Sequence, residues 1–581
     1  MSSSIIWILP AIVGFIFIVV ILIPYGSGAP GLILNDPDNY MRLAQVRDWL
    51  AGQSWWDITQ YRVNPPEGLT MHWSRMADLP VAVAIKIWEV IVGRDDAEWL
   101  AVSTVPPALL LAACCGLARA GPNLYGIRAA IFAMVVAAWT PQFMAEFIPG
   151  RIDHHGLQVL LLAASLAAIT GEERVRNGLI AAFAASASLV IGLEAAPYYV
   201  IIAIWLVGRW ALYGERHHSM MLGFVAGMAF FLAAMYLSTV PPSDWERATY
   251  DEVGRGHLII IVCAAALLAG LAYKADLSTP TRVKILAFVS AVGVALLFTF
   301  PEVVRPPYNE VDPLMQRLWI DNIIETKSFV DVWSTSPLEA IAGVQTPIFL
   351  ILALALLAMG GARKDFSILL ALLVIVGLAL RIWQYRGGAI ASVCLIIASG
   401  WVLAAAWKKW RDGGGVIPFA IALVLLNGSI LTSVVMISER KAETAKLTDN
   451  ANDTSCEKEL AAASLNKFTA GLVLAPIGLS GPILVRSHHS VLTASNHRNY
   501  EPNRKAFLAF LADSDSARRR IGAMKIDYVL FCRNGETDML LREAPNGLAN
   551  LLNRGDNPDW LTLVQKPERG TLRFYRVNAE R

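Results

Sequence analysis

The sequence predicts an α-helical protein that crosses a membrane many times and ends in a small α/β domain. The chain of 581 residues is 55% hydrophobic and only 17% charged, which is a low charged fraction for a soluble globular protein. Apolar runs recur as far as residue 437, and a polar tail follows them. The net charge of +2 provides no broad basic face, so a nucleic-acid partner is not expected.

About 13 apolar runs are expected to be membrane spans, although several of them are short. They lie near residues 5–24, 98–118, 129–148, 156–170, 178–193, 198–213, 219–239, 258–273, 285–300, 346–360, 366–381, 389–407 and 416–437. The run at 80–93 is also apolar, but Lys86 and Glu89 interrupt it, so we expect an interfacial helix there. Counting it as a span would place the basic short loops outside, against the positive-inside rule.

The resulting topology places the N-terminus in the cytoplasm and nearly all long segments on the outer face of the inner (plasma) membrane. These outer segments are 25–97, 149–155, 240–257, 301–345, 382–388 and the tail from residue 438. Acidic residues, histidines and tryptophans gather in them. This asymmetry favours an enzyme with an outward-facing site, because a transporter concentrates its polar residues near the middle of the bilayer.

The polar tail, 438–581, is predicted to be a small extracytoplasmic α/β domain, and residues 1–437 to be the transmembrane domain. Strand-like runs lie at 472–475, 491–494, 528–532, 561–564 and 572–575, and a helical pattern covers 504–524. A disulfide between Cys456 and Cys532 is compatible with an oxidising compartment but not with the cytosol. His488, His489 and His497 flank strands, and they either face a catalytic cavity on the acceptor side or are polar loop residues.

Two carboxylates, Asp36 and Asp38, follow the first apolar run in the sequence NDPDNY at 35–40. Charges at the mouth of a membrane helix are costly unless they face water, a metal ion or a partner. A pair at i and i+2 beside a proline suits a fixed loop that binds a hard cation, although Asn, Asp and Pro are also ordinary turn residues. The same loop holds four tryptophans that suit either an aromatic interface belt or stacking on sugar rings, namely Trp49, Trp55, Trp56 and Trp73.

Asp153, His154 and His155 form a polar cluster in the second short outer loop, EFIPGRIDHHGLQ at 146–158. Aspartate together with histidine is a competent ligand set for a divalent cation such as Mn²⁺. The competing interpretation is that Asp153 caps the next helix and that the histidines are merely interfacial.

The loop at 301–345 is long for a compact membrane domain, and loops of that length usually have a function. Its acidic residues are Glu302, Glu310, Asp312, Asp321 and Glu325. Further along, the sequence RIWQYRGG at 381–388 places Arg381 and Arg386 at the outer end of a span. Arginine binds phosphate through paired hydrogen bonds, and the alternative is that both residues anchor the helix end by snorkelling.

Taken in order, these motifs resemble the catalytic subunit of oligosaccharyltransferase, whose eukaryotic, archaeal and bacterial forms belong to the GT-C class of membrane glycosyltransferases. The run DPDNYMR at 36–42 and the run WWDI at 55–58 resemble the first outer loop of that family, and GRIDHH at 150–155 resembles its second loop motif. The resemblance implies about 13 transmembrane helices, an outward-facing site and a C-terminal extracytoplasmic domain.

The resemblance also implies a metal site. It makes Asp36 the catalytic, metal-binding acid and Asp153 a second ligand. His155 stands where the family has another acid, so it keeps a ligand but lowers the negative charge of the site. Glu325 is the counterpart of the metal-contacting glutamate in the long loop of the family, and Glu310 and Asp312 compete with it for that assignment. The expected cofactor is Mg²⁺ or Mn²⁺, which would neutralise charge on a departing phosphate.

The expected reaction transfers a sugar or oligosaccharide from a polyprenyl-phosphate or polyprenyl-pyrophosphate donor to an acceptor on the periplasmic or outer face. Arg386, with Arg381, would bind the donor phosphate, and Asp38 would take the acceptor's proton or support Asp36.

The Trp-Trp-Asp-Tyr-Gly element that reads the acceptor in the family is absent from the tail, so the acceptor is a glycan, a lipid or a protein. The alternatives are a transporter or flippase of lipid-linked glycans, which the scarcity of charges at mid-span depth disfavours, and a non-catalytic scaffold. Membrane lipids surround the chain in each case.

Overall fold

The computed structural model describes residues 34, 36–305, 311–323, 326–361, 363–426, 451–463, 465–566 and 570–578. The predicted span at 5–24 and the end of the one at 416–437 lie outside the described residues. Glu325 and the side chain of Arg386 lie outside them as well.

Helices joined by short turns make up most of the described chain up to residue 426. They are α1 (Pro37–Leu50), α2 (Leu79–Val92), α3 (Arg94–Tyr125), α4 (Ile127–Ala138), α5 (Pro141–Ala145), α6 (His155–Ile169), α7 (Val175–Ile191), α8 (Ala196–Tyr213), α9 (His218–Thr239), α10 (Arg255–Leu271), α11 (Thr279–Thr299), α12 (Pro313–Leu318), α13 (Phe329–Thr335), α14 (Pro337–Met359), α15 (Lys364–Trp383), α16 (Gly388–Lys409) and α17 (Ile417–Leu425). A short antiparallel hairpin, β1 (Thr59–Gln60) and β2 (Leu69–Thr70), lies in the first loop.

Among the described residues, 6 helical stretches are long and apolar enough to cross a membrane. They are Arg94–Ala120, Leu193–Thr239, Thr279–Thr299, Pro337–Met359, Lys364–Trp383 and Gly388–Gly414. Shorter apolar helices also lie at predicted spans, namely α4, α6, α7 and α10. The helices therefore have the length and composition expected of a polytopic membrane protein.

Two features near the first spans refine the prediction. The span expected at 129–148 is interrupted, because Pro141 has no N–H to continue α4 and instead begins the short helix α5.

Helix α2 has 14 residues, so it is about 21 Å long and too short for a hydrocarbon core of about 30 Å. Val83, Ile87 and Val90 on α2 are exposed, which suits a helix lying in the membrane interface.

The packing of α7 against α9 depends on small residues. A Cβ atom at Gly178 in α7 would overlap the carbonyl oxygen of Met220, and one at Gly223 in α9 would overlap the carbonyl oxygen of Val175. Membrane helices approach closely where such small residues meet, because lipid provides no hydrophobic force between them and close packing must replace it. The turn that follows α7 carries Glu194.

The described tail contains a five-stranded mixed sheet with helices around it. Its elements are α18 (Ala451–Ala462), β3 (Leu472–Leu474), α19 (Ile477–Arg486), β4 (Ser490–Val491), α20 (Tyr500–Leu511), α21 (Ser514–Ala523), β5 (Tyr528–Phe531), α22 (Gly535–Glu543), α23 (Leu548–Arg554), β6 (Leu561–Gln565) and β7 (Arg573–Val577). The strand order is β4-β3-β5-β7-β6, with β4, β3 and β5 parallel and β7 antiparallel to both of its neighbours. A disulfide between Cys456 and Cys532 joins α18 to the end of β5.

The first loop and the tail share one hydrophobic core. Tyr40, Val63 and Trp73 from the loop are buried together with Val473 and Val491 from the sheet. Helix α1 packs against α19, and Val63 forms a parallel bridge with Val491. The tail therefore fixes the position of α1, whose N-terminal end contributes to the candidate site.

Candidate active site

A cavity of about 600 Å³ lies where the first loop, the second loop and the tail meet. Its lining includes the N-terminal end of α1, the start of α6, the turn between α7 and α8, the segments 250–251, 319–323 and 495–497, and Thr326. Of the site residues predicted from the sequence, Asp36, Asp38, His155 and His497 line this cavity. Asp153 is buried directly behind His155, to which its carboxylate is joined by a hydrogen bond.

Asp36 is fixed at the start of α1. Its Oδ1 accepts a hydrogen bond from the N–H of Asp38 at 2.8 Å, so the residue caps the helix, and Pro37 occupies the first helical position. The first loop motif is therefore both a helix start and a site for a carboxylate, and the two interpretations of Asp36 do not exclude each other. Asp38 lies in the first turn of α1 and lines the cavity.

Arg151 brings three carboxylates together. Its Nε donates to Oε2 of Glu146 at 2.9 Å, while Nη1 lies 3.8 Å from Oδ2 of Asp36 and Nη2 lies 3.7 Å from Oδ2 of Asp153. Burial, followed by the charge of Asp153, raises the pKa of Asp36, and the Asp38 N–H and Arg151 oppose this effect only in part. The space between Asp36 and Asp153 thus favours a positive charge.

Asp153 holds both neighbouring imidazoles. Its Oδ2 lies 2.6 Å from Nδ1 of His155, and its Oδ1 lies 2.7 Å from Nδ1 of His154. Burial opposes ionisation of Asp153, but His155 and His154 outweigh it and hold its pKa well below the usual range. The backbone N–H of Asp153 donates to Oδ1 of Asn39 at 2.8 Å, which ties the second loop to α1. Asp153, His154 and His155 are close enough together to bind one metal ion.

A buried cluster of charged side chains contacts His154 and helps to orient it. Arg42 and Arg75 both contact Asp78, at 2.7 Å and 3.2 Å, and all three side chains are buried. Arg42 Nη2 also lies 3.3 Å from Nδ1 of His154. Arg42 belongs to the first-loop motif, so the structure gives that part of the motif a positioning role.

Glu194 is a carboxylate of this site that the sequence placed only at a tight turn. Its Oε1 lies 3.4 Å from Nε2 of His154, and its Oε2 accepts a hydrogen bond from Gln158 at 3.0 Å. It lines both the main cavity and a smaller one of about 80 Å³ that extends to Tyr198 and Trp383. The sequence signal that could have identified Glu194 is its position as a lone acidic residue at the end of an apolar run. Arg151 is a second residue that was not predicted, and its signal is its place within the GRIDHH motif.

Arg381 lies beside a separate groove rather than in the main cavity. It is the charged residue of a largely apolar groove between α4, α14, α15 and α16, whose wall includes Val136, Pro347 and Leu395. The Arg381 guanidinium lies 4.5 Å above the ring of Tyr385, and the Tyr385 hydroxyl donates to Glu339 at 2.8 Å. The small cavity next to Glu194 includes Leu380 and Gly387, so it adjoins this groove.

The structure does not bring His488 and His489 to the cavity. His489 is buried against Tyr528, with Nε2 3.1 Å from the carbonyl oxygen of Leu465. His488 lies beside it, with Nε2 2.8 Å from the carbonyl oxygen of Phe468. The physical reason is that β4 begins at Ser490 and carries these two residues into and alongside the core of the sheet.

Two comparisons based on sequence gave no match, one with models of protein families and the other with curated proteins. A search of solved structures gave matches to oligosaccharyltransferase AglB from Archaeoglobus fulgidus. Its complex with an inhibitory peptide and a dolichol-phosphate is 15% identical, with a TM-score of 0.64 over 94% of this chain and 72% of that one. Its apo form is 14% identical, with a TM-score of 0.66 and the same coverage.

A third structure of the archaeal enzyme, a complex with Zn and sulfate, is 15% identical and has a TM-score of 0.63 over 94% of this chain and 71% of that one. At this level of identity the matches establish the fold, which extends over both the helical part and the tail. The chain therefore has the fold of an oligosaccharyltransferase, as the resemblance of its loop motifs predicted.

Proposed function

We propose that the protein is a membrane glycosyltransferase that moves a sugar or oligosaccharide from a polyprenyl-phosphate or polyprenyl-pyrophosphate donor to an acceptor. The observation that carries this proposal is the meeting of Asp36, Asp153 and His155 at one cavity, together with a largely apolar groove whose lining includes Arg381. A donor made of an apolar chain, a phosphate and a sugar needs these three environments.

The metal site is proposed on the chemistry of its donor groups. Asp36 and Asp153 supply carboxylate oxygens and His155 an imidazole nitrogen, a set that suits Mg²⁺, Mn²⁺ or Zn²⁺. Arg151 already holds a positive charge 3.8 Å from Asp36 and 3.7 Å from Asp153, which supports the fit of a cation between them. When bound, a divalent cation supplies Lewis-acid stabilisation of charge on the departing phosphate. Glu325 stays a proposed additional ligand.

The residues of the chain then have distinct tasks. Arg381 and Arg386 hold the donor phosphate, and the apolar groove below Arg381 accepts the first part of the polyprenyl chain. Asp38, which lines the cavity beside Asp36, takes the proton from the acceptor. The bond between the sugar C1 and the phosphate oxygen breaks as the bond from C1 to the acceptor forms, so the lipid phosphate leaves with the bonding electron pair.

The proposed orientation places the site and the tail on the outer face of the inner membrane and the N-terminus in the cytoplasm. The disulfide between Cys456 and Cys532 supports this orientation, because such bonds persist in oxidising compartments. The same proposal includes about 13 spans in all and a tail that forms an extracytoplasmic domain from residue 438. The acceptor in this proposal is a glycan, a lipid or a protein. His497 is the proposed acceptor-side histidine, since it lines the cavity.

The test is transfer in vitro from a fluorescent polyprenyl-linked sugar by the purified full-length protein. Asp36→Ala and Asp153→Ala should each lose activity by at least about a hundredfold, and a chelator should abolish wild-type activity until one divalent cation restores it. Asp515→Asn, a carboxylate on the exposed first turn of α21, is the control. Full activity in both the Asp36→Ala and the Asp153→Ala variants would contradict the proposed metal site.

A further inference from the structure

Three side chains of metal-binding type meet at the wall of the main cavity, apart from the ligands proposed for the catalytic metal. They are His72, which follows β2, Asp251, in the segment between α9 and α10, and His497, in the turn before α20. Each side chain offers one ligand atom, and these three atoms lie within 4.8 Å of one another. The three residues come from distant parts of the sequence, so only the folded chain brings them together.

The geometry of this cluster is close to that of a zinc site. Nε2 of His497 lies 2.7 Å from Oδ2 of Asp251, and the ring centroids of His72 and His497 are 4.9 Å apart. Ligand atoms around a tetrahedral Zn²⁺ ion with bonds of about 2.0 Å are roughly 3.3 Å apart. The pair of His497 and Asp251 would therefore open by roughly 0.6 Å, and the longest separation would close by at most roughly 1.5 Å. All three side chains are only partly buried, so side-chain rotation can supply these movements.

Arg498 fixes the carboxylate of the cluster. Its Nε and Nη2 donate to the two oxygens of Asp251 at 2.7 Å and 2.8 Å. Outer hydrogen bonds of this kind orient the ligands of metal sites. A carboxylate has about four lone-pair positions, so Asp251 can keep Arg498 and still bind a metal ion. Nδ1 of His72 has a long contact of 3.4 Å with Nδ2 of Asn496, which a metal ion can replace.

The charges and the donor atoms favour a transition-metal ion. Arg498 contacts two carboxylates, since Glu252 lies 3.0 Å from its Nη2 and Asp251 accepts from the same guanidinium. Its single positive charge is therefore more than balanced. A bound ion would replace the proton shared by His497 and Asp251, as metal ions do when they displace protons from their ligands. Two imidazoles and one carboxylate suit Zn²⁺ or Co²⁺, whereas Mg²⁺ and Ca²⁺ prefer oxygen ligands.

We propose that His72, Asp251 and His497 bind a transition-metal ion such as Zn²⁺ at a site separate from Asp36 and Asp153. Three protein ligands leave a fourth position, which is open to the main cavity because all three ligands line it. The ion joins the first loop, the segment between α9 and α10 and the tail. The site does not require the proposed transfer reaction, because it follows from the geometry of its ligands.

Metal binding is measured on the full-length protein in detergent, without a histidine tag and after removal of metals by a chelator. The double variant Asp36→Ala/Asp153→Ala lacks the proposed catalytic ligands, so a remaining site can be counted in it. After dialysis against micromolar Zn²⁺, we expect about one Zn²⁺ ion per double-variant chain by elemental analysis. Adding His72→Gln or His497→Gln should weaken Zn²⁺ binding by about a hundredfold or more.

His488→Gln is the control, because His488 belongs to the same tail but does not line the cavity. It should leave the Zn²⁺ content of the double variant unchanged. Absence of Zn²⁺ from the double variant, or equal losses from His497→Gln and His488→Gln, would overturn the inference. A wild-type chain that binds one Zn²⁺ ion, with the same content in the double variant, would contradict the proposed catalytic site instead.

Co²⁺ reports the ligand set of the site. Four-coordinate Co²⁺ absorbs visible light strongly, whereas six-coordinate Co²⁺ on surface carboxylates absorbs weakly. We expect strong absorption by the Co²⁺-loaded double variant, its loss after His72→Gln, and no displacement by millimolar Mg²⁺. Weak absorption that the histidine substitutions do not change, or displacement by Mg²⁺, would show adventitious binding and contradict the site.

Limited proteolysis tests whether the ion joins the tail to the first loop. Zn²⁺ should slow cleavage of the tail in the double variant by about fivefold, because an ion that binds only the folded arrangement stabilises it. His72→Gln should remove this protection although the altered residue lies in the first loop and not in the tail. Equal protection with and without His72→Gln would contradict a bridging ion.

Discussion

Arg498 in the tail donates two hydrogen bonds to Asp251 in the segment between α9 and α10. Nε lies 2.7 Å from Oδ2 and Nη2 lies 2.8 Å from Oδ1, which is the paired geometry of a strong guanidinium–carboxylate contact. Nη1 of Arg498 also donates to the carbonyl oxygen of Met71 in the first loop at 2.8 Å, and His497 lies 2.7 Å from Asp251. One arginine thus joins the tail, the first loop and the helical part at the edge of the main cavity.

Replacing Asp251 should loosen the tail from the helical part. Asp251→Asn removes the paired carboxylate of the mostly buried Arg498 and leaves it with Glu252, at 3.0 Å, as its charged partner. We therefore expect a loss of about 2 kcal/mol in stability, together with faster proteolysis of the tail. Asp556→Asn is the control, because its pair with Arg554 is exposed and worth less than about 1 kcal/mol. Thermal unfolding and limited proteolysis measure both variants, and equal behaviour of the two would contradict the role of Asp251.

Acid should weaken the same contact in a defined range of pH. Burial alone would raise the pKa of Asp251, but hydrogen bonds from His497 and Arg498 outweigh it and hold the pKa well below the usual range. The stabilising effect is therefore complete above the unfolded-state pKa of about 4 and is lost progressively as the pH falls below it. We expect the contribution of Asp251 to be constant between about pH 5 and 8 and to decline below about pH 4. Asp251→Asn should remove this decline, and an identical acid profile in the variant would contradict the assignment.

The close contact between α7 and α9 should not tolerate a methyl group. A Cβ at Gly178 would overlap the carbonyl oxygen of Met220, so Gly178→Ala should cost about 2 kcal/mol through overpacking. Gly208→Ala in α8 is the matched control, because no atom lies within 4 Å of its added Cβ, and it should be neutral or slightly stabilising. Thermal stability in detergent measures both variants. Equal stability of the two would show that the helices do not meet as closely as the structure indicates.

The loop motifs allowed the fold and part of the site to be predicted, because DPDNYMR and GRIDHH resemble two loop motifs that contribute to one site in the family. Asp36 and His155, one from each motif, line the same cavity. The contact between Arg151 and three carboxylates depends on side-chain distances that spacing does not supply. His489 and His497 flank the same strand in the sequence, but only His497 lines the cavity, because the start of β4 carries His489 into the core.

Arg151 should compete with a metal ion for the carboxylates of the cavity. Its guanidinium lies 3.8 Å from Asp36 and 3.7 Å from Asp153, so a cation bound by both would be repelled by it. Arg151→Met should therefore tighten Mn²⁺ binding by about tenfold or more, as measured by the loss of the free Mn²⁺ spin-resonance signal. Arg176→Met, at an exposed position in the first turn of α7, should change nothing. Weaker binding in the Arg151→Met variant would mean that Arg151 organises the ligands more than it repels the metal.

Glu194 should be needed for the rate of transfer rather than for the fold. Its carboxylate lies 3.4 Å from His154 and accepts a hydrogen bond from Gln158 at 3.0 Å, so it orients the imidazole next to Asp153 and adds negative charge to the cavity. Glu194→Gln keeps the size and a hydrogen-bonding oxygen but removes the charge, and we expect kcat to fall by about tenfold with little change in thermal stability. Glu215→Gln, in the exposed turn before α9, is the control for a lost charge near a helix end. An unchanged kcat with lower stability in the Glu194→Gln variant would assign the residue to the packing of the α7–α8 turn alone.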